Sequence, residues 1–162
     1  MKLTPIAGML CATVLLTSCV PQYASPPASS DTAQLLMIGK PEYTLATHVY
    51  RDVETCAGRQ WVSGGVAGPP KWINVKGGQP ITISVDVGNS WGTCPAIGTF
   101  IPERGKRYVA HAVTEDGIQR CYLAVDEVLA SGSTGQPVPV TQRRFRTGLA
   151  ESSSWCKPDS QR

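Results

Sequence analysis

Two stretches of this chain alternate apolar and polar residues with a period of two. In PITISVDV, residues 80–87, isoleucine or valine alternates with threonine, serine or aspartate, and YTLATHVY, residues 43–50, has the same period. This pattern is typical of a strand with one buried face, because successive side chains point to opposite faces of a sheet. KRYVAHAV and IQRCYLAVDEV, residues 106–113 and 118–128, are also strand-like.

Turn-forming residues separate these segments. Asp116 and Gly117 lie between two of them, and Asp-Gly is a strong signal for a two-residue hairpin because this turn needs positive φ. The Gly-rich stretches at residues 62–70 and 87–93 are predicted loops. No long helical period is evident after the N-terminal segment. We therefore predict an all-β fold, a small antiparallel β-sandwich or partly open barrel stapled by two disulfides after a disordered tether.

The segment before the first alternating strand has two interpretations. TAQLLMIGKPEY, residues 32–43, contains four contiguous apolar residues from Leu35 to Ile38. A short helix that ends at Gly39 and Pro41 fits this pattern, and so does a first edge strand. The sequence does not separate the two.

The N-terminus has the features of an export signal. Lys2 is followed by an uncharged apolar run that ends at Leu16, too short for a membrane span of about 20 residues. The motif Leu16-Thr17-Ser18-Cys19 resembles the bacterial lipobox. This resemblance implies cleavage before Cys19 and acylation of its thiol and amine, which makes it the membrane anchor. Val20, where inner-membrane lipoproteins usually carry Asp, implies the outer membrane, with the domain facing the periplasm.

These features divide the chain into three predicted parts. They are a lipoprotein signal peptide at residues 1–18, the lipidated cysteine with a flexible tether at 19–39, and a periplasmic β domain at 40–162. The start of the tether is rich in Pro, Ser and Ala, with too few apolar groups to offset the entropy of ordering. Loss of Lys2 lowers the formal net charge from +3 to +2. So mild a charge gives no reason to expect a nucleic acid partner.

The cysteine count indicates an oxidised domain. Cys11 leaves with the signal peptide and Cys19 is the predicted lipidation site. An even number in an exported domain predicts disulfides rather than free thiols. Four cysteines remain and predict two bridges: Cys56, Cys94, Cys121 and Cys156.

The predicted hairpin constrains the pairing of these cysteines. With Asp116-Gly117 as the turn, Ala112 lies opposite Cys121. If the chain returns directly from residues 98–100 to the next strand, Cys94 lies on the far side of that strand. The two cysteines are then two strand spacings apart, about 9.6 Å, whereas a disulfide needs Cα atoms within about 7 Å. This reasoning disfavours Cys94–Cys121 and favours Cys56–Cys94 with Cys121–Cys156.

The sequence contains no HExxH and no P-loop. His48 and His111 lie within strand-like segments, where together with an acid such as Asp86 they are candidate metal ligands. Histidines in strands more often make hydrogen bonds within the sheet and bind no metal. We therefore predict that the protein is not an enzyme and holds no metal or cofactor.

Three tryptophans lie in or beside the predicted loops: Trp61, Trp72 and Trp91. Loop aromatics stack on sugars or anchor a protein partner, but they also plug the ends of small sandwiches. We expect core residues on one side of each sheet and polar residues on the other, which leaves the loops free for binding. The predicted binding surface therefore includes these tryptophans rather than the basic cluster at residues 143–146.

A second resemblance concerns the whole domain. FIPERGKRY, residues 100–108, lies between Cys94 and Cys121, and residues 43–127 resemble small bacterial outer-membrane lipoproteins with a periplasmic β-sandwich. The resemblance implies fold and compartment but no catalytic residue. We expect a non-catalytic, lipid-anchored protein that binds an envelope protein or glycan through its loops. The alternatives are an inhibitor of a lysozyme-type cell-wall hydrolase, or an assembly component of a secretion or envelope machine.

Overall fold

The computed structural model describes residues 20–39, 44–64, 68–147 and 153–158. The predicted signal peptide and Cys19 lie outside the described residues. The described residues form eleven strands and no helix: β1 Thr32–Ile38, β2 Thr44–Tyr50, β3 Arg59–Ser63, β4 Ile73–Lys76, β5 Ile81–Asn89, β6 Gly92–Phe100, β7 Arg107–Glu115, β8 Arg120–Val128, β9 Thr134–Pro137, β10 Thr141–Phe145 and β11 Cys156–Pro158.

The strands form two facing sheets. Their order is β4-β1-β7-β8-β9 in the five-stranded sheet and β11-β10-β6-β5-β2-β3 in the six-stranded sheet. One core joins the inner faces, with Leu35, Tyr108 and Val125 from the first sheet and Ile83 and Val85 from the second. The predicted all-β fold with two disulfides is confirmed, and the sheets do not close into a barrel.

Strand β1 settles the ambiguity of residues 32–43. Thr32–Ile38 is a strand, and it is not an edge strand, because it pairs parallel with β7 and antiparallel with β4. The predicted tether covers residues 19–39, so the folded domain includes part of it.

The hairpin between β7 and β8 has a longer turn than the predicted one. Glu115 pairs with Arg120, and Thr114 rather than Ala112 lies opposite Cys121. Asp116 and Gly117 both have positive φ, 50° and 75°, as the Asp-Gly pattern requires. The extra turn residues after Gly117 shift the register relative to the predicted hairpin.

The two disulfides join Cys56 to Cys156 and Cys94 to Cys121. The pairing expected from the sequence is wrong. It placed β6 and β7 side by side in one sheet, whereas β6 belongs to the six-stranded sheet and β7 and β8 to the five-stranded sheet. Cys94 and Cys121 therefore face each other across the core, with Cα atoms 6.1 Å apart, which is within the range of a disulfide.

Residues 20–31, the first part of the predicted tether, follow the edges of both sheets. The backbone of Tyr23 hydrogen bonds to Trp61 in β3, and its side chain contacts Asn74 in β4. We call residues 20–31 the strap. Because β3 and β4 are edge strands, the strap covers backbone groups along one side of the sandwich.

Candidate functional site

The outer face of the five-stranded sheet carries exposed apolar side chains. They come from positions of β1, β7 and β8 that alternate with the core residues, and from the residue before β4. Ile38 and Tyr122 are 37% and 41% exposed. We call this surface the apolar face, and its members are Leu36, Ile38, Trp72, Val109, Val113 and Tyr122.

Strand register brings these side chains together. Leu36 lies beside Val109 across the parallel pair of β1 and β7. Val113 lies beside Tyr122 across the antiparallel pair of β7 and β8. Side chains at paired positions on one face of a sheet lie within contact distance of each other. The apolar face therefore consists of two such pairs, and His111 lies between them on β7.

A groove of about 630 Å³ crosses the apolar face at His111 and Asp126. Ile38 lies beside His111 across the β1–β7 pair, and His111 Nδ1 is 3.7 Å from Asp126 Oδ2. Both side chains are partly exposed. A groove with apolar walls and a polar pair can hold an apolar group and also fix its orientation.

Trp72 forms the β4 side of the apolar face. The guanidinium carbon of Arg107 lies 4.4 Å from the centroid of the Trp72 ring, which is the geometry of a cation–π contact. Arg107 begins β7 and points outward with Val109. The stack holds the indole at the surface, where it remains accessible.

The outer face of the six-stranded sheet differs in composition and in exposure. Its outward residues Thr82 and Ser84 are polar, yet both are fully buried. Residues 51–58 lie across this face, and the Cys56–Cys156 disulfide joins them to residues 153–158, which include the edge strand β11. We call these two segments the cover. The Thr82 hydroxyl donates a hydrogen bond to the carbonyl of Val53 in the cover, at 2.8 Å.

Arg143 belongs to the predicted basic cluster, but its side chain is buried under the cover. Its Nε donates to Thr99 Oγ1 at 3.0 Å, and its terminal nitrogen donates to Glu54 Oε2 at 3.1 Å. Thr99 shares a further hydrogen bond with Thr82 at 2.7 Å. Arg143 therefore links the sheet to the cover.

His48 lies on the same outer face with 2% of its surface exposed. Its Nδ1 is 3.2 Å from Asp86 Oδ2 and 3.3 Å from Ser84 Oγ. The Tyr50 hydroxyl donates to Ser84 Oγ at 3.2 Å. Nε2 of His48 and Oδ1 of Asp86 are buried without a hydrogen-bond partner. The contacts of this cluster thus join β2 to β5, and two of its buried polar atoms have no hydrogen-bond partner.

This cluster does not assemble the relay of a serine hydrolase. In that relay a carboxylate and a serine bond to different ring nitrogens of the histidine, whereas Asp86 and Ser84 both approach Nδ1 of His48. His48 and His111, the candidate metal ligands, lie in different sheets. Within the described ranges, no group of three or more His, Cys, Asp or Glu is placed to hold a metal ion.

The three predicted binding tryptophans occupy separate places. Trp61 lies in β3 rather than in a loop, half-buried, with its ring centroid 6.0 Å from that of His48 on the six-stranded sheet. Trp72 lies on the opposite side of the sandwich, in the apolar face. Trp91 lies in the turn between β5 and β6 and is 90% exposed. They do not form one surface, and their role in binding stays a prediction.

The apolar face was missed in the sequence, where polar residues were expected outside each sheet. Two patterns point to it. Residues 35–38 are apolar at every position, so that β1 has apolar side chains on both of its faces. In β7, Val109 and Val113 alternate with the buried Tyr108 and Ala110. Strands that are apolar on both faces are typical of sheets covered on both sides.

Comparison of the chain with protein-family models, with curated protein sequences and with solved structures finds no match. The described part of the chain has no helix with the length and apolar character to cross a membrane. A functional assignment therefore depends on the surfaces described above.

Proposed function

We propose that this protein is a non-catalytic, lipid-anchored protein of the bacterial cell envelope that binds a partner protein through the apolar face. The exposure of Ile38 and Tyr122 on a sheet, with Trp72 exposed directly before β4, supports the proposal. Large apolar side chains are among the residues most often buried. An apolar patch exposed on the surface of a protein marks an interaction site.

The composition of the apolar face fits a protein partner better than a glycan. Protein interfaces combine an apolar centre, enriched in Tyr, Trp and Arg, with a polar rim. Here Ile38 and Val109 form the centre, and Trp72 stacked on Arg107 lies at one side. A glycan site needs a denser set of hydrogen-bonding groups than the single His111–Asp126 pair of the groove.

The lipobox-like motif supports an anchor at Cys19 in the outer membrane, with the domain facing the periplasm. The two disulfides fit an oxidising compartment. Cys19→Ala is expected to release the chain from membranes, because the acylated residue is lost. Detergent extraction and membrane fractionation measure this. Full outer-membrane fractionation of the variant would refute the anchor.

Charged substitutions in the apolar face test the binding surface. Ile38→Glu and Tyr122→Glu each place a carboxylate in it, whereas Ile101→Glu is a matched control at an exposed position after β6, outside the face. Crosslinking in cells with the native anchor should recover a defined partner with the unchanged chain and the control, and lose it with both face variants. Equal recovery by all four proteins contradicts the proposal. Recovery of a secretion or envelope machine would identify an assembly component.

Trp91 supports a second candidate function, inhibition of a lysozyme-type cell-wall hydrolase. Asn89 pairs with Gly92 across the turn, and Asn89 Oδ1 accepts a hydrogen bond from Trp91 N at 2.8 Å. A rigid turn with an exposed aromatic tip can enter an enzyme cleft with little loss of conformational entropy. Purified domain is added to a lysozyme assay. Inhibition by the unchanged domain but not by Trp91→Ala supports this function, and no inhibition by either rejects it.

A further inference from the structure

The strap is attached to the six-stranded sheet at its first residues. The carbonyl of Pro21 accepts a hydrogen bond from Trp61 N at 2.9 Å, and Tyr23 N donates to the carbonyl of Trp61 at 2.7 Å. Gln22 and Trp61 thereby form a parallel bridge at the outer edge of β3. This part of the strap extends the sheet.

The following strap residues are attached to the five-stranded sheet. Asn74 N in β4 donates to Ser25 Oγ at 2.7 Å, and Asn74 Nδ2 donates to the carbonyl of Pro26 at 3.0 Å. The carbonyl of Asp31 accepts a hydrogen bond from Gly77 N at 2.8 Å. The strap therefore runs from one sheet to the other and is part of the fold.

These attachments shorten the connection between the domain and the predicted anchor. A free tether of 12 residues spans up to about 40 Å. With Pro21 already bonded to β3, the chain from Cys19 to Pro21 spans at most about 7 Å. An acylated Cys19 would hold the β3 edge at the bilayer surface.

We propose that the edges of β3 and β4, together with the strap, rest against the headgroups of the membrane that holds the anchor. The inference rests on the proposed lipid anchor at Cys19. Beside the strap residues Tyr23 and Pro26, a groove is lined by the exposed basic side chains of Arg51 and Lys76. Anionic headgroups attract such side chains within a Debye length of the surface. Trp61 lies on the same edge, and tryptophan favours the membrane interface.

This orientation leaves the apolar face accessible to a partner. The strap crosses one edge of each sheet, so each sheet contacts the bilayer at that edge and extends away from it. The outer faces of the sheets are then perpendicular to the membrane surface and do not face the lipid. The opposite edges, at β9 and β11, lie four or five strands away, roughly 20 Å farther from the headgroups.

Quenching of tryptophan emission by a headgroup nitroxide lipid tests the proposal. The full lipidated chain is reconstituted in vesicles of phosphatidylethanolamine and phosphatidylglycerol that contain this lipid. Trp61→Phe combined with Trp72→Phe, which precedes β4 on the same edge, should lose most of the nitroxide-sensitive emission. Trp91→Phe should keep it. An insertion of roughly 12 Gly/Ser residues between Cys19 and Val20 adds about 20 Å of reach. It should abolish the quenching without release from the vesicles.

Vesicle flotation separates the two proposals. Failure of the unchanged chain to float refutes the anchor and with it the orientation. Flotation with quenching that the insertion leaves unchanged, or with equal quenching of Trp61 and Trp91, overturns the orientation and leaves the anchor intact. Should the double tryptophan variant fail to fold, the insertion in the otherwise unchanged chain decides the result, since it alters no residue of the sandwich.

Discussion

The two outer faces of the sandwich combine polarity and exposure in opposite ways. On the six-stranded sheet, Thr82 and Arg143 are polar and buried under the cover. On the five-stranded sheet, Ile38 and Tyr122 are apolar and exposed. The chain thus uses its own segments to bury the polar face and leaves the apolar face open.

Hydrogen bonding explains how the polar face tolerates its cover. A buried polar group without a partner costs about 1–3 kcal/mol, and the bonds from Thr82, Thr99 and Arg143 avoid that cost at three positions. The cover is therefore matched to one face by specific bonds. The apolar face needs no such matching, and any partner with a complementary apolar surface gains from covering it.

Removal of the cover's disulfide is expected to have the largest effect on stability. Cys56→Ala with Cys156→Ala opens a loop with a sequence separation of 100, against 27 for Cys94 and Cys121. Loop-closure entropy predicts losses of about 4.7 and 3.6 kcal/mol in the free energy of unfolding. Urea unfolding of both double variants measures the difference. A larger loss for the Cys94–Cys121 pair would show that the cover contributes less than its loop length implies.

The same substitution on the two faces compares them directly. Ile97, 1% exposed, lies under the cover, whereas Ile38 is 37% exposed in the apolar face. Ile97→Ala should lower the free energy of unfolding by about 2–5 kcal/mol, because it leaves a cavity. Ile38→Ala should change it by less than about 1 kcal/mol. Chemical unfolding of both variants is the measurement, and equal losses would mean that the apolar face is packed in solution.

Arg143 and Arg144 test the polar link between the sheet and the cover. Arg143→Ala removes two hydrogen bonds in a buried site, and we expect a loss of about 1–3 kcal/mol. Arg144→Ala, at the exposed neighbouring position, should cost less than about 1 kcal/mol. Thermal unfolding of the two variants distinguishes them. The link would be unimportant if Arg143→Ala melted no lower than Arg144→Ala.

Alkaline pH tests the strap, which belongs to neither outer face. Burial raises the pKa of Tyr23 above its ordinary value of 10.0. As the pH rises, Tyr23 therefore ionises in the unfolded chain before it ionises in the folded protein. The contribution of Tyr23 to the free energy of unfolding is complete below pH 10 and is lost as the pH rises through the pKa of the folded state. Tyr23→Phe should weaken this dependence in melting curves between about pH 9 and 11. The remainder comes from Tyr108, whose pKa burial also raises, and from Lys106, whose pKa is raised by its hydrogen bonds to Glu103 and Glu127. An unchanged profile would mean that the strap is detached.

Part of the proposed binding surfaces can be predicted from the sequence and part cannot. The sequence points to Trp72 and Trp91 because they lie in or beside Gly/Pro-rich loops, and both are accessible in the structure. Trp61 fits the same local pattern but lies in β3 beside His48. The outward positions of β1 and β7 became a surface only through the parallel pairing of these strands, which no local pattern indicates.

The strands at residues 44–50, 81–89, 107–115 and 120–128 were determined by the sequence alone, because alternation of side chains is a local property of the chain. The tertiary structure decided which strands became neighbours. It placed β6 and β7 in different sheets, and so joined Cys94 to Cys121 and Cys56 to a residue 100 positions away. Such choices depend on which distant segments bury each other's apolar surface, and that free energy belongs to the assembled core rather than to any one segment.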